Sequence, residues 1–206
     1  SCLSKIWVHR VNSTERLKWV KRKFSGVEAD IMFDSAAGCF WVCHPPEKSA
    51  LRLEEYLQEL QTEKPCSAWL DMRGVTSRNA ARAVSILSEL GKKADIRNRL
   101  VYEVYDIDAA NFIATNGFTT SFHVPATAFA DSAALTAFDR ALAPAVEYVS
   151  QESSFVGKMK NGFRNRKIIT WSIAFSNYFD RRNLEGLLAD PSIAVVLVNV
   201  KSRGYK

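Results

Sequence analysis

The sequence predicts an α/β fold, a single (β/α)8 TIM barrel occupying residues 1–206 as one domain. Short apolar runs alternate with amphipathic helical segments along the whole chain, the pattern of a parallel sheet with helical crossovers. The main runs number eight, which suits closure into a barrel better than an open sheet. With 206 residues, 47% of them hydrophobic, the chain can bury one sizeable core. No linker, low-complexity tract or second domain interrupts the pattern.

The elements follow in order. KIWVH (5–9) reads as the first strand, and Ser13 and Thr14 as caps of a helix running to 23. A second strand covers 27–33, and 34–38 turn it back into a hairpin strand, CFWVCH (39–44), stopped by Pro45 and Pro46. Ser49 opens a helix that buries Leu51, Leu53, Tyr56, Leu57 and Leu60. Strands then fall at 67–72, 100–105, 119–124, 154–157, 167–172 and 193–200. The helices between them cover 77–93, 106–116, 131–149 and 180–188.

Composition narrows the function. The net charge is +6, from 28 Lys and Arg against 22 Asp and Glu. The positive charge is gathered in short runs at 18–23, 164–167 and 201–206. These read first as solvated faces and a basic tail, and second as attraction to an anionic substrate or a membrane surface. No aromatic-interleaved basic stripe is present, so nucleic acid is not expected as a partner. No apolar run reaches the ~20 residues of a membrane span. The four cysteines (2, 39, 43, 66) show no zinc spacing, and Cys39 and Cys43 on one strand are too far apart to bridge. The expected compartment is cytoplasmic, or a membrane-anchored lipoprotein if Cys2 follows a removed signal.

The chemistry is concentrated where a barrel carries its active site, at the C-terminal strand ends. His9 ends the first strand and Arg10 follows it. Glu28 and Asp30 lie two apart on the second strand and share a face, as do Asp71 with Arg73 and Glu103 with Tyr105 on the next two. His44 ends the hairpin return. Three facing carboxylates would not stay ionised together without compensation, which a hard divalent cation supplies through oxygen ligands. The competing arrangement pairs these acids with Arg10 and Arg73 as internal salt bridges. His9 and His44 bracket the Glu-x-Asp pair, and imidazole suits proton transfer near neutral pH. His123, at a later strand end, reads as an ordinary core or rim residue.

The string VHRVNSTERL…GVEADIMFD…FWVCHPPE…AWLDMRG resembles the glycerophosphodiesterase-like barrel superfamily, and the late strand KIITWS resembles its Trp-bearing seventh strand. The resemblance implies a metal held by Glu28, Asp30 and Asp71, Mg²⁺ or Ca²⁺, and acid–base catalysis by His9 and His44. It implies phosphate contacts from Arg10 and Arg73, and Glu103, Tyr105, Lys158 and Trp171 lining the substrate pocket. The implied activity is cleavage of a small or lipid-derived phosphodiester, by way of a cyclic phosphate where a substrate hydroxyl attacks. The chain departs from true glycerophosphodiesterases in reading His-Arg-Val-Asn where they read His-Arg-Gly. His44 also runs into a helix where they carry an inserted subdomain. Asp71 in place of Glu is similar to the spider-venom sphingomyelinase D branch, and VNS with HPP to the menorin-like branch.

Two other functions fit the same barrel. One is a catalytically inactive protein that binds an anionic ligand or a protein partner. The other is an aldolase or sugar-modifying enzyme, which a Schiff-base lysine at a strand end would favour and which is not seen. Aromatics near the mouth (Phe118, Phe122, Phe129, Phe175, Tyr178, Phe179) would favour a lipid substrate if exposed, and are core residues otherwise.

Overall fold

The computed structural model describes residues 2–62, 66–94, 96–171 and 179–200. Its elements are β1 (Ile6–Val8), α1 (Thr14–Val20), β2 (Gly26–Asp34), β3 (Cys39–Val42), α2 (Leu53–Gln61), β4 (Ser67–Arg73), α3 (Ala80–Ala94) and β5 (Leu100–Val104). They continue with α4 (Ile107–Thr115), β6 (Thr120–His123), α5 (Ser132–Ala141), β7 (Tyr148–Glu152), α6 (Val156–Gly162), β8 (Lys167–Trp171), α7 (Phe179–Ala189) and β9 (Ile193–Val198). Eight strands pair in parallel in the order β1-β9-β8-β7-β6-β5-β4-β2, and β1 pairs with β2 to close the barrel. β3 is antiparallel and extends β2 beyond the rim.

Alternation along each strand divides the core in two. On β4, Ala68, Leu70 and Met72 face the helices and join the large outer cluster. Trp69 lies on the opposite face with Trp7, Val101, Ile169, Val195 and Leu197, which fill the barrel interior. Trp7 needs a partner without a side chain. A Cβ at Gly26, its register neighbour on β2, would stand 2.2 Å from the indole. Above this apolar plug the inward row turns polar, since the register places Asp30 beside Asp71, Asp71 beside Glu103 and Glu103 beside Ser121.

Three expectations from the sequence are corrected. The strand expected at 154–157 is a single 3-10 turn leading into α6, and the strand in that place is β7, Tyr148–Glu152. The helix expected to run from 131 to 149 stops at Ala141. Pro144 cannot continue it, and the Arg166 guanidinium takes the carbonyls of Asp139, Leu142, Ala143 and Val146. The basic runs are also not all solvated. Arg166 has a side chain only 8% exposed and pairs with Asp139, and Lys21 is 1% exposed, held by Glu59 and Thr62.

Helix α1 starts as expected, with Ser13 Oγ accepting from the Arg16 N–H. Among the described residues, Cys39, Cys43 and Cys66 form no disulfide. Phe118, Phe122 and Phe129 are buried core residues. Phe175, Tyr178, the side chain of Phe179, Ser172 and the tail at 201–206 lie outside the described residues. Among the described residues, no helix is long and apolar enough to cross a membrane.

Candidate functional site

A cavity of about 180 Å³ opens at the C-terminal ends of the strands. The backbone builds its first corner. Arg10 leaves β1 in the left-handed region, φ 54°, and its N–H donates to Glu28 Oε2 at 2.7 Å. A β-carbon is strained there, so the turn is held by what surrounds it. It sets His9 over Glu28, with Nε2 3.6 Å from Oε2, and the other ring nitrogen, Nδ1, 3.0 Å from Asn199 Oδ1. Asn12, from the same turn, grips Asp30 twice. Its Nδ2 donates to Asp30 Oδ2 at 2.8 Å, and its Oδ1 accepts from the Asp30 N–H at 2.9 Å.

Glu28, Asp30 and Asp71 are all buried, at 2%, 3% and 7% exposure, and each offers a carboxylate oxygen within 4.8 Å of the others. Burial and the neighbouring charge of Asp30 push Glu28 well above the usual carboxylate range, against the pull of the Arg10 N–H. Burial and Glu103 push Asp71 up to about 7, against the pull of Arg73. Burial draws His9 down, which favours the neutral imidazole. Asp71 Oδ1 has no hydrogen-bond partner although it is buried. Three crowded carboxylates, two of them driven toward protonation and one with an orphaned oxygen, fit a divalent cation bound through oxygen.

Arg73 lies on the far side of Asp71, donating to Oδ2 from Nε (3.2 Å) and Nη2 (2.8 Å). Of the two internal pairings the sequence allows, this one forms; Arg10 meets Glu28 through its backbone instead. Glu103 accepts from the Ser150 hydroxyl and lies 3.3 Å from His123 Nδ1. Burial, then the charges of Glu103 and Asp71, push the Tyr105 hydroxyl far up, so it stays protonated.

The cavity gathers His9, Arg10, Glu28, Asp30, His44, Asp71, Arg73, Glu103, Tyr105 and Trp171. Lys158 does not join them. It sits on α6 with Nζ donating to the Phe129 carbonyl, beside a separate cavity of about 510 Å³ between α5 and α6. The sequence reading leaves His123 as an ordinary core or rim residue and does not single out Trp69, yet both line the cavity; nor does it single out Asn12, Asn199, Ser150 and Gln151, which hold its members. Only Asn12 carries a detectable signal, as a short polar residue just past the His9-Arg10 strand end; Ser150 lies in the middle of β7.

Known structures share this architecture. The fold is that of the glycerophosphodiester phosphodiesterases. A glycerophosphodiester phosphodiesterase from Parabacteroides distasonis superposes with a TM-score of 0.68 at 14% identity, over 96% of this chain and 92% of that one. Its counterpart from Thermotoga maritima gives 0.62 at 14%, over 94% and 93%. A Sorangium cellulosum protein described as a mandelate racemase/muconate lactonizing enzyme gives 0.61 at 14%, over 94% of this chain and 53% of that one. No protein-family model matches the sequence, and no curated protein matches it. At such identities the likeness is one of fold, and function has to be argued from the site.

Proposed function

We propose that this protein is a metal-dependent phosphodiesterase acting on a small or lipid-derived phosphodiester. The observation that carries the reading is the buried triad Glu28, Asp30 and Asp71, with ligand oxygens within 4.8 Å, in a cavity that His9, His44 and Arg73 also line. The fold it shares with glycerophosphodiester phosphodiesterases supports it.

The triad would hold Mg²⁺ or Ca²⁺. Such an ion supplies positive charge to the non-bridging phosphate oxygens as negative charge builds there. Arg73 keeps donors free beyond those spent on Asp71 and adds a charge-assisted contact to the same phosphate, as does Arg10, which also lines the cavity. His9 is the base. Asn199 fixes Nδ1 as the protonated nitrogen, which leaves the Nε2 lone pair to take the attacking hydroxyl's proton. His44, which also lines the cavity, returns a proton to the leaving oxygen as its bond to phosphorus breaks. A neighbouring hydroxyl of the substrate as attacker gives a cyclic phosphate, and water gives the hydrolysed product. The basic run at 18–23, Lys18 on α1 and Lys23 in the turn after it among them, is available to an anionic membrane surface bearing such a substrate.

The test is turnover of bis(p-nitrophenyl) phosphate and of glycerophosphodiesters with Mg²⁺, Ca²⁺ or EDTA, beside His9→Ala. Metal-dependent turnover that His9→Ala abolishes supports the reading. Metal binding without turnover of any phosphodiester would replace it with an inactive, anion-binding barrel.

A further inference from the structure

Four flat groups from four strand ends lie in one row along the cavity wall. The Arg73 guanidinium carbon is 4.2 Å from the Tyr105 ring centroid. Tyr105 stacks on His123 at 4.4 Å and 28°, and His123 on Trp171 at 5.7 Å and 19°. Tyr105 therefore packs against both the Arg73 guanidinium and the His123 ring.

Hydrogen bonds then fix His123 in the ring plane. Gln151 is oriented by the backbone on both sides, since Nε2 donates to the Val124 carbonyl at 2.7 Å and Oε1 accepts from the Glu152 N–H at 2.8 Å. The second Nε2 hydrogen of Gln151 therefore faces His123 Nε2, 3.4 Å away, which must accept. The proton of His123 then sits on Nδ1, toward Glu103 Oε1. Neither nitrogen is free to exchange a proton with a ligand.

We propose that His123 is a positioning residue: with Tyr105 and Trp171 it forms a stacked row that holds the Arg73 guanidinium at the phosphate. The inference rests on the reading of Arg73 as a phosphate contact and assigns the cavity's third histidine a part other than proton transfer. A guanidinium fixed between Asp71 and an aromatic face loses little freedom when it binds an oxyanion.

The experiment compares His123→Phe, which keeps a flat ring, with His123→Asn, which keeps a donor toward Glu103 but no ring. Inorganic phosphate binding in Mg²⁺ is measured by calorimetry, and near-ultraviolet circular dichroism reads the stacked rings. His123→Phe should bind phosphate within about threefold of wild type, and His123→Asn should fall about tenfold, as Arg73→Ala does. Tyr105→Phe and Tyr105→Leu repeat the contrast without disturbing Glu103's partners. Loss of phosphate affinity in both ring-keeping variants would overturn the proposal. So would unchanged affinity in His123→Phe with turnover abolished, which is the behaviour of a proton donor. If wild type binds no phosphate, the phosphodiester reading fails along with Arg73's part in it, while circular dichroism still reports whether the row exists.

Discussion

The Arg10 backbone N–H reaches Glu28 Oε2 at 2.7 Å, and it does so from left-handed backbone. One residue thus does two separable things: its main chain orients a carboxylate of the triad, and its side chain extends to the rim. Arg10→Ala should keep metal affinity within about threefold of wild type and lower phosphate affinity about tenfold. Arg10→Pro removes the N–H and cannot adopt this φ, so it should weaken metal binding as well. Parallel titrations of metal and phosphate separate the two effects.

The crowded carboxylates give the metal-free protein an unusual pH dependence. Asp71 is raised to about 7 and Glu28 is raised well above its ordinary value. The native state therefore binds more protons than the unfolded chain in this window, so stability falls as pH rises through 7. His9, drawn down, acts oppositely as the pH falls through 6.5 and below, so the clean window lies above that value. In EDTA the melting temperature should drop between pH 6.5 and 8, and saturating metal or Asp71→Asn should flatten the slope. A melting temperature that rises over this range would contradict the account.

The Trp7 indole packs against Gly26 with no room for a Cβ there. Gly26→Ala should cost about 2–3 kcal/mol through overpacking. Adding Trp7→Leu should recover part of that loss, and urea unfolding of the two single variants and the double reads the coupling directly.

Lys21 joins the end of α1 to the end of α2, its ammonium meeting the carbonyls of Glu59 and Thr62 and the Glu59 carboxylate. Lys21→Met takes the donor from the Thr62 carbonyl and the buried ion pair from Glu59, whose remaining donors are Thr62 and Lys18, and should cost about 2–3 kcal/mol. Turnover per folded molecule should be unchanged, because the clamp lies outside the cavity.

Much of this was legible in the sequence. Strand β9, IAVVLV, is a continuous apolar run, and the inward charges of β2 (Glu28, Asp30) and β4 (Asp71, Arg73) stand out by their i, i+2 spacing. β7 was not legible, because YVSQE places Ser150 inward and carries little apolar signal; its pairing partners β6 and β8 define it instead. The helix before it was overextended because the capping of its C-terminus by Arg166 is a contact between residues more than twenty apart. At the site, the metal-type acids were visible because charge inside a barrel needs a reason. The part played by His123 was hidden, since it depends on Gln151 and Tyr105, which the fold brings together from separate strand ends.

The central claim is that Glu28, Asp30 and Asp71 together hold a divalent cation, and calorimetric titration of Mg²⁺ and Ca²⁺ tests it most directly. The account predicts saturable binding at one site by the wild type, with affinity at least tenfold weaker in Asp71→Asn and stronger at pH 8 than at pH 6.5. Absence of binding by a folded wild type, or equal binding by Asp71→Asn, would contradict it.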